Sequence, residues 1–256
     1  MKNYFNFHTL SVLAAVCLTC SHAKAANFSK DQIKEIQGIA RDFIINNPEV
    51  LVEASQALQQ KNHAEMVAKV SASIPKYQKE LFTSKLSPTL GNPKANLFLV
   101  QFVDYSCGHC RKMDPVVQEL LKNYPNLQVI VKEFPIFGDN SDYVAKVAIS
   151  SHLQGKYASM HSELMTAERP LDLEKVDKIA VEVGMNSQRM ARDIQSDEIA
   201  KELTETLELA KNLGVVGTPA FVIAWDVSTK NIQSFFLPGS APYDSFDKIM
   251  KRSKIA

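Results

Sequence analysis

A mostly apolar run of ten residues, NLFLVQFVDY (Asn96–Tyr105), leads almost directly into Cys107-Gly108-His109-Cys110. Unbroken apolar character of that length suits a strand buried on both faces. Beyond Cys107 the period changes. Met113, Val117, Leu120, Leu121 and Tyr124 recur at helical spacing, with Pro115 inside the helix as a point of kinking. LQVIVKEF (Leu127–Phe134) follows as a second strand. Strand, helix and strand in that order make a parallel pair joined by a crossover helix. The chain is thereby confined to the α/β class, with two thiols where the first strand hands over to the helix.

The rest of the chain fits around that unit. Ser141–Gln154, Tyr157–Thr166, Leu173–Val183, Ser187–Ile194 and Glu198–Leu213 read as helices, with Gly184 and Gly214 as C-terminal stops. They form a helical insertion over about 141–213. Ala220–Trp225 and Ile232–Leu237 read as an antiparallel hairpin, and Ala241–Lys251 as a closing helix. Ser87–Asn96, with two prolines and a glycine, is a connector.

Residues 26–86 are expected to be a helical arm, separate from a domain spanning 87–256. Ser29 and Gln32 make a capping box. Ile33, Ile36, Ile39, Ala40, Phe43 and Ile44 follow at helical spacing. Asn47-Pro48 ends that helix and opens another, carrying Leu51, Ala54 and Leu58. A polar interruption at Gln59-Gln60-Lys61-Asn62 precedes Met66, Val70 and Ile74. One apolar stripe set apart from the core needs a cover, and a second copy of the arm supplies one.

The N-terminus reads as an export signal. Lys2 is basic, Leu10–Thr19 is a short apolar run, and Ala23-Lys24-Ala25 fits small-residue cleavage, with a mature start near Ala26. The apolar run is too short to span a bilayer. Removal of Met1–Ala25 takes Cys17 and Cys20 with it and leaves Cys107 and Cys110 alone. A formal net charge of +1 argues against a nucleic-acid binder working by bulk charge.

A disulfide between Cys107 and Cys110 closes too small a loop to stabilise by chain entropy, so an exported protein that keeps this pair uses it for chemistry. Cys107 at a helix start meets unpaired backbone N–H groups and the positive end of the helix dipole, which favour a thiolate. Cys110, one turn further in, is the more buried sulfur. His109 adds a titratable group beside the pair. A stabilised thiolate stabilises the reduced form, and the disulfide becomes an oxidant. Structural zinc would need four ligands. No second cysteine pair remains, and of His63, His109, His152 and His161 the pair His152/His161 does not follow finger spacing.

FVDYSCGHCRKMDP (Phe102–Pro115) resembles the active site of thioredoxin-fold thiol–disulfide oxidoreductases, down to the proline five residues after the second cysteine. Val216-Gly217-Thr218-Pro219 resembles the cis-proline loop of that family. The helical insertion resembles the DsbA-like branch of periplasmic enzymes. INNPEVLVEA (Ile45–Ala54) is similar to a DsbA-like subgroup that oligomerises through such helices, including Legionella-type bifunctional homologues. The resemblance implies a thioredoxin fold and a periplasmic protein that forms and isomerises disulfides. Cys107 would attack, Cys110 would resolve, and Thr218 and Pro219 would bind substrate backbone. It also implies no metal and no organic cofactor, clients that contain cysteines, a DsbB-like or DsbD-like membrane redox partner, and a homodimer formed through 26–86.

Two departures stand out. CGHC is the dipeptide of protein disulfide isomerase and not the CPHC of strong DsbA oxidants. Gln101 occupies the place where some members carry a buried acid on the strand before the cysteines, and Glu133, at a strand end, reads as a solvated acid. A periplasmic copper-binding protein using the same dithiol, with Met160, His161 and Met165 as further ligands, is the contrasting reading. A client-holding chaperone is a third.

Overall fold

The computed structural model describes residues 28–229 and 232–253. The expected export segment, Met1–Ala25, lies outside them. The chain divides into two compact units, with the division between Leu58 and Gln59.

The first unit holds helix α1 (Lys30–Asn46) and the start of α2 (Glu49–Ser73). The capping box is formed: Ser29 Oγ accepts from the Gln32 backbone N–H, and Gln32 Oε1 accepts from that of Ser29. Asn47 caps α1 from its C-terminal side, its backbone and side-chain N–H groups both donating to the Phe43 carbonyl. No residue of α1 is buried, and Ile33, Ile36, Ile39, Phe43 and Ile44 are exposed. The polar stretch Gln59–Asn62 does not interrupt α2. Gln and Lys are good helix formers, and the backbone continues without a break.

The second unit starts well before Ser87. Val70, a 3-10 turn (Ile74–Tyr77) and helix α3 (Gln78–Phe82) place Val70, Ile74 and Leu81 in a core with Val100, Phe102, Ile130, Leu209 and Leu213. A polar tie reinforces this. Lys132 Nζ donates to the Glu80 carbonyl and to Ser87 Oγ, at 2.7 Å each, and lies 4.0 Å from Glu202 Oε1. Glu202 accepts from Ser84 and Ser87. Residues 66–87 therefore belong to this core. Ile74→Ala is expected to cost about 2–5 kcal/mol, read as a lower denaturation midpoint at unchanged slope.

Strands β1 (Thr89–Gly91), β2 (Leu97–Val103), β3 (Leu127–Glu133), β4 (Ala220–Trp225) and β5 (Gln233–Pro238) make one sheet in the order β1-β3-β2-β4-β5. β2 and β3 are parallel, crossed over by α4 (Gly108–Asn123), and the other pairs are antiparallel. The hairpin falls within one residue of its expected bounds. β1 lies inside the expected connector. Its Gly91 has φ +85°, and a Cβ there would stand 2.5 Å from the Leu127 carbonyl oxygen.

Both faces of the sheet are covered, which explains the unbroken apolar strands. Leu97, Leu99 and Val103 face one core, with Val117, Leu120 and Phe221, while Val100 and Phe102 face the other. Five helices separate β3 from β4: α5 (Asp139–Leu153), α6 (Tyr157–Thr166), α7 (Leu173–Glu182), α8 (Ser187–Asp193) and α9 (Asp197–Leu213). Asp172, Asn186 and Ser196 cap the last three, and Gly214, at φ +87°, closes α9. Helix α10 (Tyr243–Met250) buries Phe246 and Met250 against the first core. No helix among the described residues is long and apolar enough to cross a membrane.

Candidate functional site

The end of β2 sets the site. Asp104, buried just past that strand, gathers three donors. Its Oδ1 accepts from the Ser106 N–H and from Ser141 Oγ, and its Oδ2 accepts from the Ile136 N–H. Its carbonyl accepts from the Cys107 N–H. The turn into the helix is thereby held from several sides. Local sequence does not mark this role for Asp104, because two of its donors arrive from 32 and 37 residues away.

Cys107 is the N-cap of α4, one residue before the helix proper, and Cys110 lies in the first turn. Both are free thiols, with relative exposures of 4% for Cys107 and 0% for Cys110. The Cys107 thiol donates to the Thr218 carbonyl at 3.3 Å. Burial pushes the Cys110 thiol up to about 12, against the pull of the Asp104 backbone. The Thr218 hydroxyl, buried with no other partner among the described residues, stands beside Cys110. The Thr218–Pro219 peptide bond is cis. Two segments 111 residues apart thus meet at the sulfurs. His109 points to the surface, with Ser240 Oγ 3.5 Å from its Nδ1.

Gln101 is 1% exposed, and neither polar atom of its side chain has a partner among the described residues. The acid missing there has a counterpart elsewhere. Glu133 pairs in register with Val103 and is 2% exposed, not solvated. The strand's pleat separates the two charged residues at its end: Lys132 is bound by the tie to Glu202, while Glu133 faces helix α6. Glu133 Oε1 accepts from the Tyr105 and Tyr157 hydroxyls, both at 3.0 Å. His161 Nδ1 lies 2.9 Å from the Tyr105 hydroxyl and 3.1 Å from that of Tyr157. On its far side, His161 Nε2 lies 3.4 Å from Asp114 Oδ1, within ion-pair reach. Asp114 sits one turn past Cys110 on α4. Burial alone raises an acid, and does so here for Glu133, up to about 8. At Asp114 burial is outweighed by His161 and Gln118, which hold the carboxyl below its ordinary value. Sequence reading missed this cluster. The only local signal was a Tyr157/His161 pair four residues apart on one helix.

A dithiol at the head of a helix, beside a cis-proline loop on a thioredoxin-like sheet, defines the class of thioredoxin-fold thiol–disulfide oxidoreductases. The chain belongs to the DSBA-like thioredoxin domain family, whose model matches residues 99–251. Residues 32–65 match the copper resistance protein ScsC N-terminal domain. A thioredoxin-like oxidoreductase from Silicibacter pomeroyi is 31% identical, with 70% of this chain and 98% of that one covered and a TM-score of 0.62. Proteus mirabilis ScsC in a transitional conformation is 29% identical over 90% of this chain and 98% of its own, with a TM-score of 0.61. A probable disulfide bond formation protein D of Bacillus anthracis is 26% identical over 174 residues, 60% of this chain and 77% of that protein. The chain spans about a fifth of the length of other curated relatives, such as a Na(+)/H(+) antiporter NhaA of Salinispora tropica, 22% identical over 135 residues that make up 52% of this chain and 21% of the antiporter.

Proposed function

We propose that the protein is an exported, periplasmic thiol–disulfide oxidoreductase that forms and isomerises disulfides in client proteins. The asymmetry of the two sulfurs carries this reading. Cys107 stands at the N-cap of the helix with its thiol on the Thr218 carbonyl, while Cys110 is wholly buried and held as a thiol. A client thiolate attacks Cys107 Sγ, the Cys107–Cys110 bond breaks, and its electron pair leaves on Cys110. A second client thiol then attacks the client sulfur and releases Cys107. In isomerisation the Cys107 thiolate attacks a client disulfide, and Cys110 resolves the mixed disulfide if the client does not. Thr218 and Pro219 bind the client backbone. Reoxidation falls to a DsbB-like membrane partner, and reduction to a DsbD-like one.

The exposed apolar stripe of α1 and the match to an ScsC N-terminal domain support self-association as a homodimer through the part of the 26–86 arm that lies outside the core, α1 and the start of α2. Two sites held over one misfolded client favour isomerisation. The test is reactivation of scrambled ribonuclease by the wild type and by an Ile36→Glu/Phe43→Glu variant of the full mature chain. Both side chains lie outside the core, so folding is retained. The variant is expected to run as a single chain in light scattering, to oxidise dithiol peptides normally and to lose most reactivation. A single-chain mass for the wild type defeats the dimer, and failure of both proteins to oxidise peptides defeats the enzyme.

Copper binding by the same dithiol is a second reading, drawn from the match of residues 32–65 to a copper resistance protein's N-terminal domain, which does not include the two cysteines. Met160, His161 and Met165 do not extend such a site, since all three are buried in the core and His161 is engaged by two tyrosines. Among the described residues no group of three or more metal-ligating side chains gathers. Tight copper binding that survives Cys107→Ser would point to a separate metal site.

A further inference from the structure

Three cations converge on the loop between α6 and α7, next to Cys107, and each is bound by backbone carbonyls. Arg169 donates to the carbonyls of Tyr105 and Ser106, the two residues before Cys107. Arg111, one turn along α4 from Cys107, donates to the Ala167 carbonyl. Lys175 Nζ donates to the carbonyls of Glu168 and Pro170, at 2.9 Å each. Among the described residues, none of the three has a carboxylate oxygen within 4.0 Å. This contrasts with the ion pairs along the exposed faces of α7, α8 and α9.

Carbonyl ligation holds these groups in place without neutralising them. Arg111 and Arg169 are close enough that, after burial, their repulsion is the next force lowering Arg111 below the ordinary guanidinium value. Arg111 Nη1 is buried without a partner among the described residues. Of the acids on the same loop and helix start, Asp172 caps α7 by accepting from the Lys175 N–H, while Glu168 and Glu174 are exposed and form no ion pair with the three cations among the described residues. Arg169 also lines a recess with Ser106, Asn140, Pro170 and Leu171, and Ser106 adjoins the nucleophile. The chain as a whole is nearly neutral, at +1, so this positive ledge is a local feature.

We propose that Arg169, with Arg111 and Lys175, is a client-recognition site that takes the carboxylates of an acidic peptide segment flanking the client cysteine. The proposal rests on the exchange reading above. A carboxylate within reach of the pinned guanidinium would hold the client sulfur near Cys107, and Arg169 itself takes no part in the bond exchange. Arginine held by its far edge still presents donors in the fork that suits a carboxylate.

The test uses the oxidised full mature chain and two single-cysteine peptides that differ only in flanking residues, glutamate in one and lysine in the other. The readout is the ratio of their second-order rates of mixed-disulfide formation at pH 7. In the wild type the glutamate peptide is expected to react about fivefold to tenfold faster at low salt, with the ratio falling toward one at about 0.5 M salt. Arg169→Gln and, separately, Lys175→Gln are expected to lower the ratio. A ratio guards against damage to the Cys107 turn, which would slow both peptides alike, and Lys175 holds no carbonyl of that turn. A wild-type ratio near one, or a ratio unchanged in both variants, overturns the ledge. No reaction with either peptide overturns the exchange reading and the ledge with it.

Discussion

Replacement of Cys107 by alanine is expected to lower thiol–disulfide exchange by at least about a thousandfold, whereas Cys110→Ala is expected to accumulate the intermediate. The two sulfurs differ in what surrounds them. Cys107 caps the helix with its thiol 3.3 Å from the Thr218 carbonyl, on the side where a client strand would lie against the cis-proline loop. Cys110 is sealed inside. With Cys110 replaced, a client joined to Cys107 has no internal thiol to release it, so the adduct persists on a non-reducing gel until reductant is added. With Cys107 replaced, Cys110 remains a buried thiol that no client reaches. Equal activity of the two variants would remove the assignment of roles.

Glu133→Gln is expected to flatten the dependence of stability on pH. The unfolded chain releases this proton near 4.5, while in the fold burial holds it until about 8. Between those values the folded protein carries a proton that the unfolded chain has lost. The stability due to this protonation is therefore fully present below 4.5 and drains away as pH rises toward 8. The effect is on the order of several kcal/mol. Glutamine keeps an oxygen to accept from Tyr105 and Tyr157 and cannot ionise. Urea unfolding at pH 5 and at pH 8.5 reads the effect as a difference between the two proteins, which cancels the titration of groups they share. The wild type should lose stability across that interval that the variant keeps, and parallel curves would refute the buried-proton account.

Local pattern and tertiary packing contributed unequally to fold and site. β2, α4 and β3 were legible because period and order are local properties. A strand buried on both faces must be apolar throughout, and a helix behind it must repeat near 3.6 residues. Tyr157–Thr166 was recovered with its bounds, and β4 likewise, since flanking turn residues mark their ends. β1 escaped because three residues are too few for a period, and its hydrogen-bond partners lie in β3, about forty residues on. The division of the chain also moved. The stripe at Met66, Val70 and Ile74 was visible, but nothing local says whether such a stripe meets a second copy or its own sheet, and Val70 and Ile74 meet the sheet.

The sequence by itself determined the dithiol and its place at the head of a helix, since these rest on spacing and on short-range backbone rules; Thr218-Pro219 was marked only by its resemblance to a family loop, and the fold is what brings it to the sulfurs. Only the tertiary structure decided what surrounds them. Lys132 and Glu133 are adjacent charges that any local rule assigns to solvent, because a lone buried charge is prohibitively costly. They are buried because Glu202 and the residues 80–87 reach one face of the strand while Tyr105, Tyr157 and His161 reach the other. Arg169 reaches back 63 and 64 residues to the carbonyls before Cys107. A buried polar group survives only where its partners arrive, and the folded path of the chain decides which partners do.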